Sequence, residues 1–229
     1  MRKKPTEESA AFESKQDAVY KKIQIDMWAR RYPPGTTLSE RKLSEDFGVS
    51  RSPVREALKR YVGEGLLDQT DSNRVIVPEV TRDEICEVCD MLELLEPYAV
   101  RRCAERINDA TAEEFRMVVE RMRRANEEDD YEKYILSDLD FHKLIIYRSG
   151  FKRVLNPLRS LCSQRMRIMI SFGVDKKLMK DNLQQYESIY EKLTHGDAAD
   201  AERQARAYIY QLRDYYLRCF DSAAINEGE

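Results

Sequence analysis

The spacing of apolar residues along the chain changes near residue 80. Before that point the apolar residues come in short sets separated by glycine and proline, which mark short elements and tight turns. After it they recur every three or four positions over long stretches with few breaks, a spacing typical of amphipathic helices. We therefore predict two domains, over residues 15–79 and 80–229, behind a polar tail over residues 1–14.

The first domain has the pattern of three helices followed by a hairpin. Apolar spacing predicts an amphipathic helix over residues 16–31 and then two short helices. Ser39 caps the first short helix and Gly48 ends it, while Ser50 caps the second. Two short helices joined by a tight turn and followed by a hairpin predict a winged helix-turn-helix. The two strand-like pieces are residues 66–70 and 75–77, with Asp71, Ser72 and Asn73 between them.

The second domain lacks strand patterns, and its spacing predicts a bundle of about six helices. Proline has no backbone N–H to donate inside a helix, so we expect Pro97 to kink or split the first of them. The fold class that we predict is mainly α, a winged helix-turn-helix followed by an all-α bundle. The six helices are expected at residues 82–107, 111–128, 131–148, 152–172, 177–194 and 197–221.

The composition excludes several classes of protein. No apolar run approaches the roughly 18 residues that a membrane span needs, and the basic start is not followed by the apolar stretch of a secretory signal. We therefore expect the protein to remain in the cytoplasm. Five cysteines without framework spacing fit reduced thiols. The Cys86-x-x-Cys89 pair has no second pair to complete a zinc site, so we interpret both as small apolar residues on a helix.

The charge is distributed unevenly between the two domains. The chain has a net charge of −3, but residues 1–78 hold 15 Lys and Arg against 12 Asp and Glu, and the remainder holds 24 against 30. This asymmetry permits a nucleic-acid partner for the first domain without establishing one.

A continuous motif in the first domain carries a specific resemblance. Residues 33–67, PPGTTLSERKLSEDFGVSRSPVREALKRYVGEGLL, resemble the DNA-binding module of the GntR family of bacterial regulators. Tyr61 stands where that family usually has Leu, and Ser72-Asn73 stands where the wing often has Gly. The resemblance implies that the second short helix enters the major groove of DNA with its N-terminal turn toward the bases.

The resemblance also implies which side chains meet DNA. The planar guanidinium of Arg can donate two hydrogen bonds to guanine, so Arg51 and Arg55 are the candidates for reading bases, with Arg41 as a third. Hydroxyl groups suit phosphate contacts, which set the register without reading sequence. The candidates for phosphate contacts are Thr37, Ser50 and Ser52, and Arg74, Lys59 and Arg60 are candidates for adding unspecific charge.

The second domain resembles the FCD ligand-binding domain of the FadR-like subgroup of that family. The resemblance rests on the helix count, on Leu95-Glu96, on residues 137–144 and on Gly196-Asp197-x₃-Ala201. It implies an effector-binding domain, often with a divalent metal held by an Asp, a His four residues later and two further His. Those four ligands would fall on Asp138, His142, Tyr186 and Tyr208. Tyrosine is a poor ligand at neutral pH because its pKa is near 10, so we regard the metal site as incomplete and predict no firmly bound cofactor.

Arg165 interrupts an apolar stripe on the fourth helix of this domain and needs a partner if it is buried. One interpretation is an internal ion pair with Asp138. The other is a small anionic effector, a carboxylate, seated among Arg165, Tyr186, Tyr208 and His142 beside Asp138. Simple core packing remains an alternative for the two tyrosines, since apolar residues flank both at helical spacing.

These inferences lead to one functional hypothesis. We predict a homodimeric, sequence-specific transcription regulator, a repressor or an activator, that binds a palindromic operator and senses a small molecule. It is not expected to be an enzyme. The alternatives are a helical-bundle metalloenzyme with an incidental DNA-binding module, and a regulator whose helical domain only dimerises.

Overall fold

The computed structural model describes residues 15–195 and 197–226. The polar tail predicted over residues 1–14, and Gly196 of the second-domain motif, lie outside the described residues. The described chain folds as three helices and three short strands followed by six helices, so the predicted fold class is confirmed. Within the described ranges, no helix is long and apolar enough to span a membrane.

The N-terminal part is built as the apolar spacing predicted, with two differences. The strands pair antiparallel in the order β1-β3-β2. We did not predict β1, because a strand of two residues is too short to show an alternation of apolar and polar residues. The first helix ends at Trp28 rather than near residue 31, because Arg30 takes a left-handed backbone conformation with φ of 52°. The elements are α1 (Lys15–Trp28), β1 (Thr37–Leu38), α2 (Glu40–Phe47), α3 (Arg51–Gly63), β2 (Asp68–Gln69) and β3 (Val75–Ile76).

The helix caps of α2 and α3 differ in a way that affects the exposed end of α3. Ser39 caps α2, since its hydroxyl accepts from the Lys42 N–H at 3.4 Å, and Gly48 ends α2 with φ of 65°. Ser50 stands at the cap position of α3, but its hydroxyl makes no capping hydrogen bond, contrary to our expectation. The Ser50 hydroxyl and the first N–H groups of α3 are therefore left for other partners.

Tyr61 fits the core of the first domain although Leu is usual at this position of the motif. Its ring stacks on Tyr20 of α1 with centroids 4.1 Å apart, and its hydroxyl donates to the Tyr20 carbonyl oxygen at 2.8 Å. The Arg60 guanidinium lies 4.1 Å from the Tyr20 ring centroid and Arg60 Nε donates to Glu64 at 2.8 Å. Arg60 therefore fastens α3 to α1 and is less free to add charge at a DNA surface than we expected.

The C-terminal part is the predicted six-helix bundle. A capping box opens α4, in which the Thr81 hydroxyl accepts from the Glu84 N–H and the Glu84 carboxylate accepts from the Thr81 N–H. The helices are α4 (Arg82–Ala104), α5 (Asp109–Glu127), α6 (Tyr131–Arg148), α7 (Leu155–Phe172), α8 (Lys176–Thr194) and α9 (Ala198–Asn226).

Pro97 does not split α4, which runs unbroken from Arg82 to Ala104. The missing N–H of Pro97 deprives the Glu93 carbonyl oxygen of its helical donor. Arg206 of α9 supplies a replacement, because its Nη1 donates to that carbonyl at 3.2 Å and to the Glu93 carboxylate at 2.9 Å. Packing against α9 therefore overrides the local tendency to break.

The second half of α7 joins the two domains. Met166 Sδ lies 4.0 Å from Gln24 Nε2 of α1, and the Ser171 hydroxyl donates to the carbonyl oxygen of Pro78 at 3.2 Å. Between these contacts, the Arg167 guanidinium donates two parallel hydrogen bonds, of 2.5 and 3.2 Å, to the Asp68 carboxylate of β2. One helix of the bundle thus contacts the first helix, the wing and the linker of the N-terminal domain.

Candidate functional site

The N-terminal turn of α3 forms an exposed polar surface. Packing of Pro53, Val54 and Ala57 against the core fixes which face of α3 is buried. Ser52 and Arg51 lie on the opposite, exposed face. Arg51 makes no ion pair within the described part of the chain, so its five N–H donors remain available. This geometry suits a side chain that reads a partner.

The other candidate arginines of this surface are already engaged. Arg55 Nε donates to both carboxylate oxygens of Glu40 at 3.1 Å, which ties α3 to α2. Arg41 Nη1 lies 3.8 Å from Glu45 one turn further along α2. Both pairs are exposed to solvent, where such pairs contribute little and exchange readily. A DNA contact of Arg55 or Arg41 would therefore compete only with a weak, exposed ion pair, and the terminal nitrogens of Arg55 make no hydrogen bond to another described residue.

The wing places two further candidates on one sheet. Thr37 of β1 pairs with Ile76 of β3, and the exposed Arg74 directly precedes β3. Asn73 takes a left-handed conformation with φ of 59°, so it occupies the turn in the way that Gly would. All nine residues that we expected to contact DNA are exposed, and their role there stays a prediction.

The second candidate site is a polar cluster inside the helical bundle. The structure brings together all five residues that the sequence proposed for an effector site, and each is almost fully buried. Arg165 Nη2 donates to Asp138 Oδ2 at 2.8 Å, so the ion pair weighed as one interpretation is formed. The Tyr186 hydroxyl donates to Asp138 Oδ1 and lies 2.8 Å from the Tyr208 hydroxyl. His142 Nε2 lies 3.0 Å from that same Tyr186 oxygen.

Neighbouring groups counter the effect of burial on the two carboxylates of this cluster. Burial alone would raise the pKa of Asp138, but the Arg165 guanidinium, with help from His142 and Tyr186, brings it below its ordinary value. Glu96 of α4 is equally buried, and its Oε1 lies 2.8 Å from His142 Nδ1. Burial raises the pKa of Glu96 as well, and the interaction with His142 outweighs that effect and lowers it. Two buried carboxylates thus face one guanidinium and one imidazole.

Three members of the cluster were missed by sequence reasoning. Glu96 was noted only as part of a motif, and Tyr134 and Tyr216 were not singled out. A signal existed, since Tyr134, Asp138 and His142 repeat every four residues on one face of α6, and Tyr216 lies two helical turns beyond Tyr208 on α9. Polar atoms recurring on an otherwise apolar face mark a shared interior site.

Several polar atoms of the cluster have no hydrogen-bond partner among the described residues. They are Arg165 Nε, the hydroxyls of Tyr134 and Tyr216, and Glu96 Oε2. Burial raises the pKa of both tyrosines well above the ordinary value, and the Arg165 charge partly opposes that rise, so both rings lie within range of the guanidinium. An unsatisfied buried polar group costs roughly 1–3 kcal/mol. Three donors and one acceptor of the cluster therefore lack a partner among the described residues, and His142 Nδ1 makes no hydrogen bond of good geometry although it lies 2.8 Å from Glu96 Oε1.

The residues of this cluster do not fit the metal site that the FCD resemblance implies. Asp138 is engaged by a guanidinium and a phenol, and a cation beside Asp138 would be repelled by Arg165. His142 Nε2 faces the Tyr186 hydroxyl, whose pKa burial keeps well above 10, so the phenol is a weak ligand. In residues 15–195 and 197–226, no group of three or more His, Cys, Asp or Glu is placed to hold an ion. We derive no metal-dependent step.

Comparison with known families matches both parts of the chain. Residues 15–77 match the family described as bacterial regulatory proteins, gntR family. Residues 87–211, more than half of the chain, match the FCD domain.

Individual relatives agree with these matches. A gluconate operon transcriptional repressor of Bacillus licheniformis is 31% identical over 112 residues, covering 49% of this chain and 46% of the relative. The HTH-type transcriptional regulator McbR of Escherichia coli is 32% identical over 117 residues, covering 51% and 53%. These matches span about half the length of the relatives. The solved structure of E. coli McbR/YncC superposes with a TM-score of 0.70 at 23% identity over 90% of this chain and 97% of that one, a likeness of fold.

The buried ion pair makes a prediction for stability. Arg165→Met keeps much of the side-chain volume but leaves Asp138 as an uncompensated buried charge, so we expect a loss of about 3–5 kcal/mol in the free energy of unfolding. Adding Asp138→Asn should restore much of that loss, because the stranded charge is removed. Urea unfolding followed by circular dichroism measures both values. Wild-type stability in Arg165→Met alone would contradict the ion pair.

Proposed function

Because the chain belongs to the gntR family of bacterial regulatory proteins and carries its FCD domain, we propose that it is a sequence-specific DNA-binding transcription regulator. Its family and its relatives are named as transcription regulators, which argues against the metalloenzyme alternative. The observation that carries the proposal is the exposed N-terminal turn of α3, where Arg51 has no ion pair with any described residue and the Ser50 hydroxyl makes no capping hydrogen bond. We propose the cytoplasm as its location and repression, the activity named for one relative, as its mode of action.

A small carboxylate effector in the buried cluster is the second part of the proposal. Arg165 Nε and the Tyr134 and Tyr216 hydroxyls are donors without partners, and a carboxylate offers acceptors for them. The Arg165–Asp138 pair limits the positive charge left for such a ligand, so hydrogen bonding rather than net charge must provide most of the affinity. These unpaired groups favour a sensing domain over one that only dimerises.

The path from this cluster to the DNA surface is the helix α7. Residues two positions apart on a helix point to opposite sides, so Arg165 faces the cluster while Arg167 faces the wing. Arg167 holds Asp68 of β2 through two hydrogen bonds. A ligand that moves Arg165 would rotate or shift α7 and thereby alter the wing. We propose this route for effector control of operator affinity.

The exposed face of α4 fits a second copy of the chain, as a palindromic operator requires. Met91, Leu94 and Tyr98 form an apolar stripe, with Leu94 64% exposed. Glu87 lies seven residues before Leu94 and Arg101 seven residues after it. An antiparallel pair of α4 helices with Leu94 on the two-fold axis would bring Glu87 of each copy opposite Arg101 of the other. The apolar centre and the complementary ends favour self-association.

The DNA proposal is tested at Arg51. With an operator selected from random sequences by the wild-type protein, Arg51→Ala should lose roughly 1–3 kcal/mol of affinity and discriminate less between operator and random DNA. Lys59→Ala is the matched control, since Lys59 is an exposed residue of the same helix and should weaken binding to all sequences about equally. Fluorescence anisotropy measures the affinities. Unchanged discrimination in Arg51→Ala would refute the assignment of α3 as the reading helix.

The dimer proposal is tested at Leu94. Leu94→Arg places a charge on the two-fold axis against its own copy, so sedimentation velocity should show a monomer at concentrations where the wild type is a dimer. Met117→Arg is the control, because Met117 is 55% exposed on α5, away from the stripe. A dimer that survives Leu94→Arg would place the interface elsewhere.

A further inference from the structure

Two adjoining cavities lie between the two domains, apart from the buried cluster. The larger cavity, of about 900 Å³, is lined by Arg30 and Glu79 on the N-terminal side and by Phe172, Tyr215 and Arg218 on the bundle side. A smaller cavity of about 380 Å³ shares part of this wall, Arg30 and Phe172 included, and continues to Trp28 and Val174. Small-molecule sites commonly have volumes of about 300–1,000 Å³ and favour domain interfaces. None of the five cluster residues proposed from the sequence lines either cavity.

Two arginines face the larger cavity from opposite domains. Neither Arg30 nor Arg218 makes an ion pair or a hydrogen bond to another described side chain, whereas the neighbouring Arg31 is held by Asp26. Burial raises the pKa of Cys219, and the positive charges of Arg218 and Arg30 partly oppose that rise. Both guanidiniums therefore lie near enough to the Cys219 thiol to interact with it electrostatically.

Two carboxylates line the larger cavity together with the arginines. Asp175 caps α8, since its Oδ1 accepts from the Leu178 N–H at 2.7 Å and its Oδ2 lies 3.5 Å from the Tyr215 hydroxyl. Glu79 lies against Gly35, where a Cβ atom would come within 2.6 Å of its Oε1. Asp175 is therefore partly engaged, whereas Glu79, like the two arginines, makes no ion pair or hydrogen bond to another described side chain.

The backbone holds Arg30 in place at a cost. Its φ of 52° lies in the left-handed region, which few residues other than glycine adopt. Its side chain crosses Gly173, where a Cβ atom would lie 2.7 Å from Arg30 Cδ and 2.8 Å from Cγ. A larger residue at position 173 would push the guanidinium away. The left-handed conformation itself belongs to the Schellman motif that ends α1, in which the Arg30 N–H donates to the Met27 carbonyl oxygen and the Arg31 N–H to the Asp26 carbonyl oxygen, both at 2.9 Å.

The smaller cavity adds an apolar compartment with one further donor. The Trp28 indole is 4% exposed, and its N–H has no hydrogen-bond partner among the described residues. Ile25, Phe172 and Val174 supply apolar lining. The combined space offers two cationic groups beside an aromatic and aliphatic compartment, and the carboxylates of Glu79, Asp175 and Glu132 also contribute to its lining.

We propose that this interdomain cleft binds a small organic anion with an apolar body, its acid group between Arg30 and Arg218. Because the two arginines belong to different domains, the ligand would fasten the DNA-binding domain to the bundle and restrain their relative movement. This site does not depend on an effector at Arg165, and it gives the protein a second input.

Anilinonaphthalene sulfonate, an aromatic anion that fluoresces in apolar surroundings, is the probe for this cleft. The full chain should bind it saturably at one site per chain. Arg30→Met and Arg218→Met should each weaken binding by about tenfold or more, as expected for the loss of a charged hydrogen bond. Arg30→Lys should keep part of the affinity because it keeps the charge. Arg159→Met, an exposed residue of α7 outside the cavity lining, is the matched control and should bind like the wild type.

Competition separates the charge requirement from simple apolar binding. Benzoate should displace the probe, whereas benzyl alcohol, which has a similar ring and no charge, should not. Melting curves followed by circular dichroism verify that each variant is folded. Binding that survives both arginine substitutions, or that benzyl alcohol displaces equally well, would overturn the proposal. Loss of binding only in the Arg165→Met/Asp138→Asn double variant would also overturn it, and would assign the probe to the buried cluster.

Discussion

The buried ion pair between Arg165 and Asp138 is the interaction on which the rest of the bundle depends. A guanidinium with only 2% of its surface exposed is stable only if it is paired, and its partner is fixed on α6. The pair in turn recruits Tyr186 from α8 and, through it, Tyr208 from α9 and His142 from α6. Four of the six bundle helices are therefore held in one register by polar contacts that tolerate few alternatives.

The same constraint gives α7 a position from which it can act on the DNA-binding domain. With Arg165 fixed inside the bundle, Arg167 must project outward, where Asp68 of the wing strand meets it. Ser171 further along α7 holds the linker at Pro78. In the route that we propose, a change in the cluster that shifts the α7 backbone at Arg165 also shifts these contacts. The interdomain cleft lies at the end of the same helix, beside Phe172, so both candidate ligand sites adjoin one element.

Local signals in the sequence were sufficient to predict the helices, but they did not predict all the side chains that meet when the helices pack. The cap at Ser39, the left-handed Gly48 and the apolar stripes placed most helices to within a few residues. The Arg165–Asp138 pair was foreseen because a charge on an apolar stripe needs a partner. Tyr134 and Tyr216 were missed because a tyrosine on such a stripe looks like any core residue, although their spacing from Asp138 and Tyr208 placed them on the same helix faces.

Contacts between distant segments were the least predictable. Pro97 was expected to kink or split α4, and only the donor from Arg206 on α9 shows why α4 remains whole. The pairing of Arg167 with Asp68 joins residues 99 positions apart. The spacing of apolar residues predicts helices and strands, but it does not predict contacts between residues so far apart in the chain. The cleft between the domains has the same origin, since Arg30 and Arg218 come from opposite ends of the chain.

The most direct test of this account is a double-mutant cycle on operator affinity in the absence of any effector. Asp138→Asn, which disturbs the buried pair, is measured in the wild-type and in the Arg167→Met backgrounds, with Arg159→Met as the control background. If α7 connects the cluster to the wing, Asp138→Asn changes operator affinity in the wild-type and control backgrounds, and the change largely disappears with Arg167→Met. We expect a coupling energy of about 0.5–3 kcal/mol, the range for residues that share a network. An equal effect of Asp138→Asn in all three backgrounds would contradict the account.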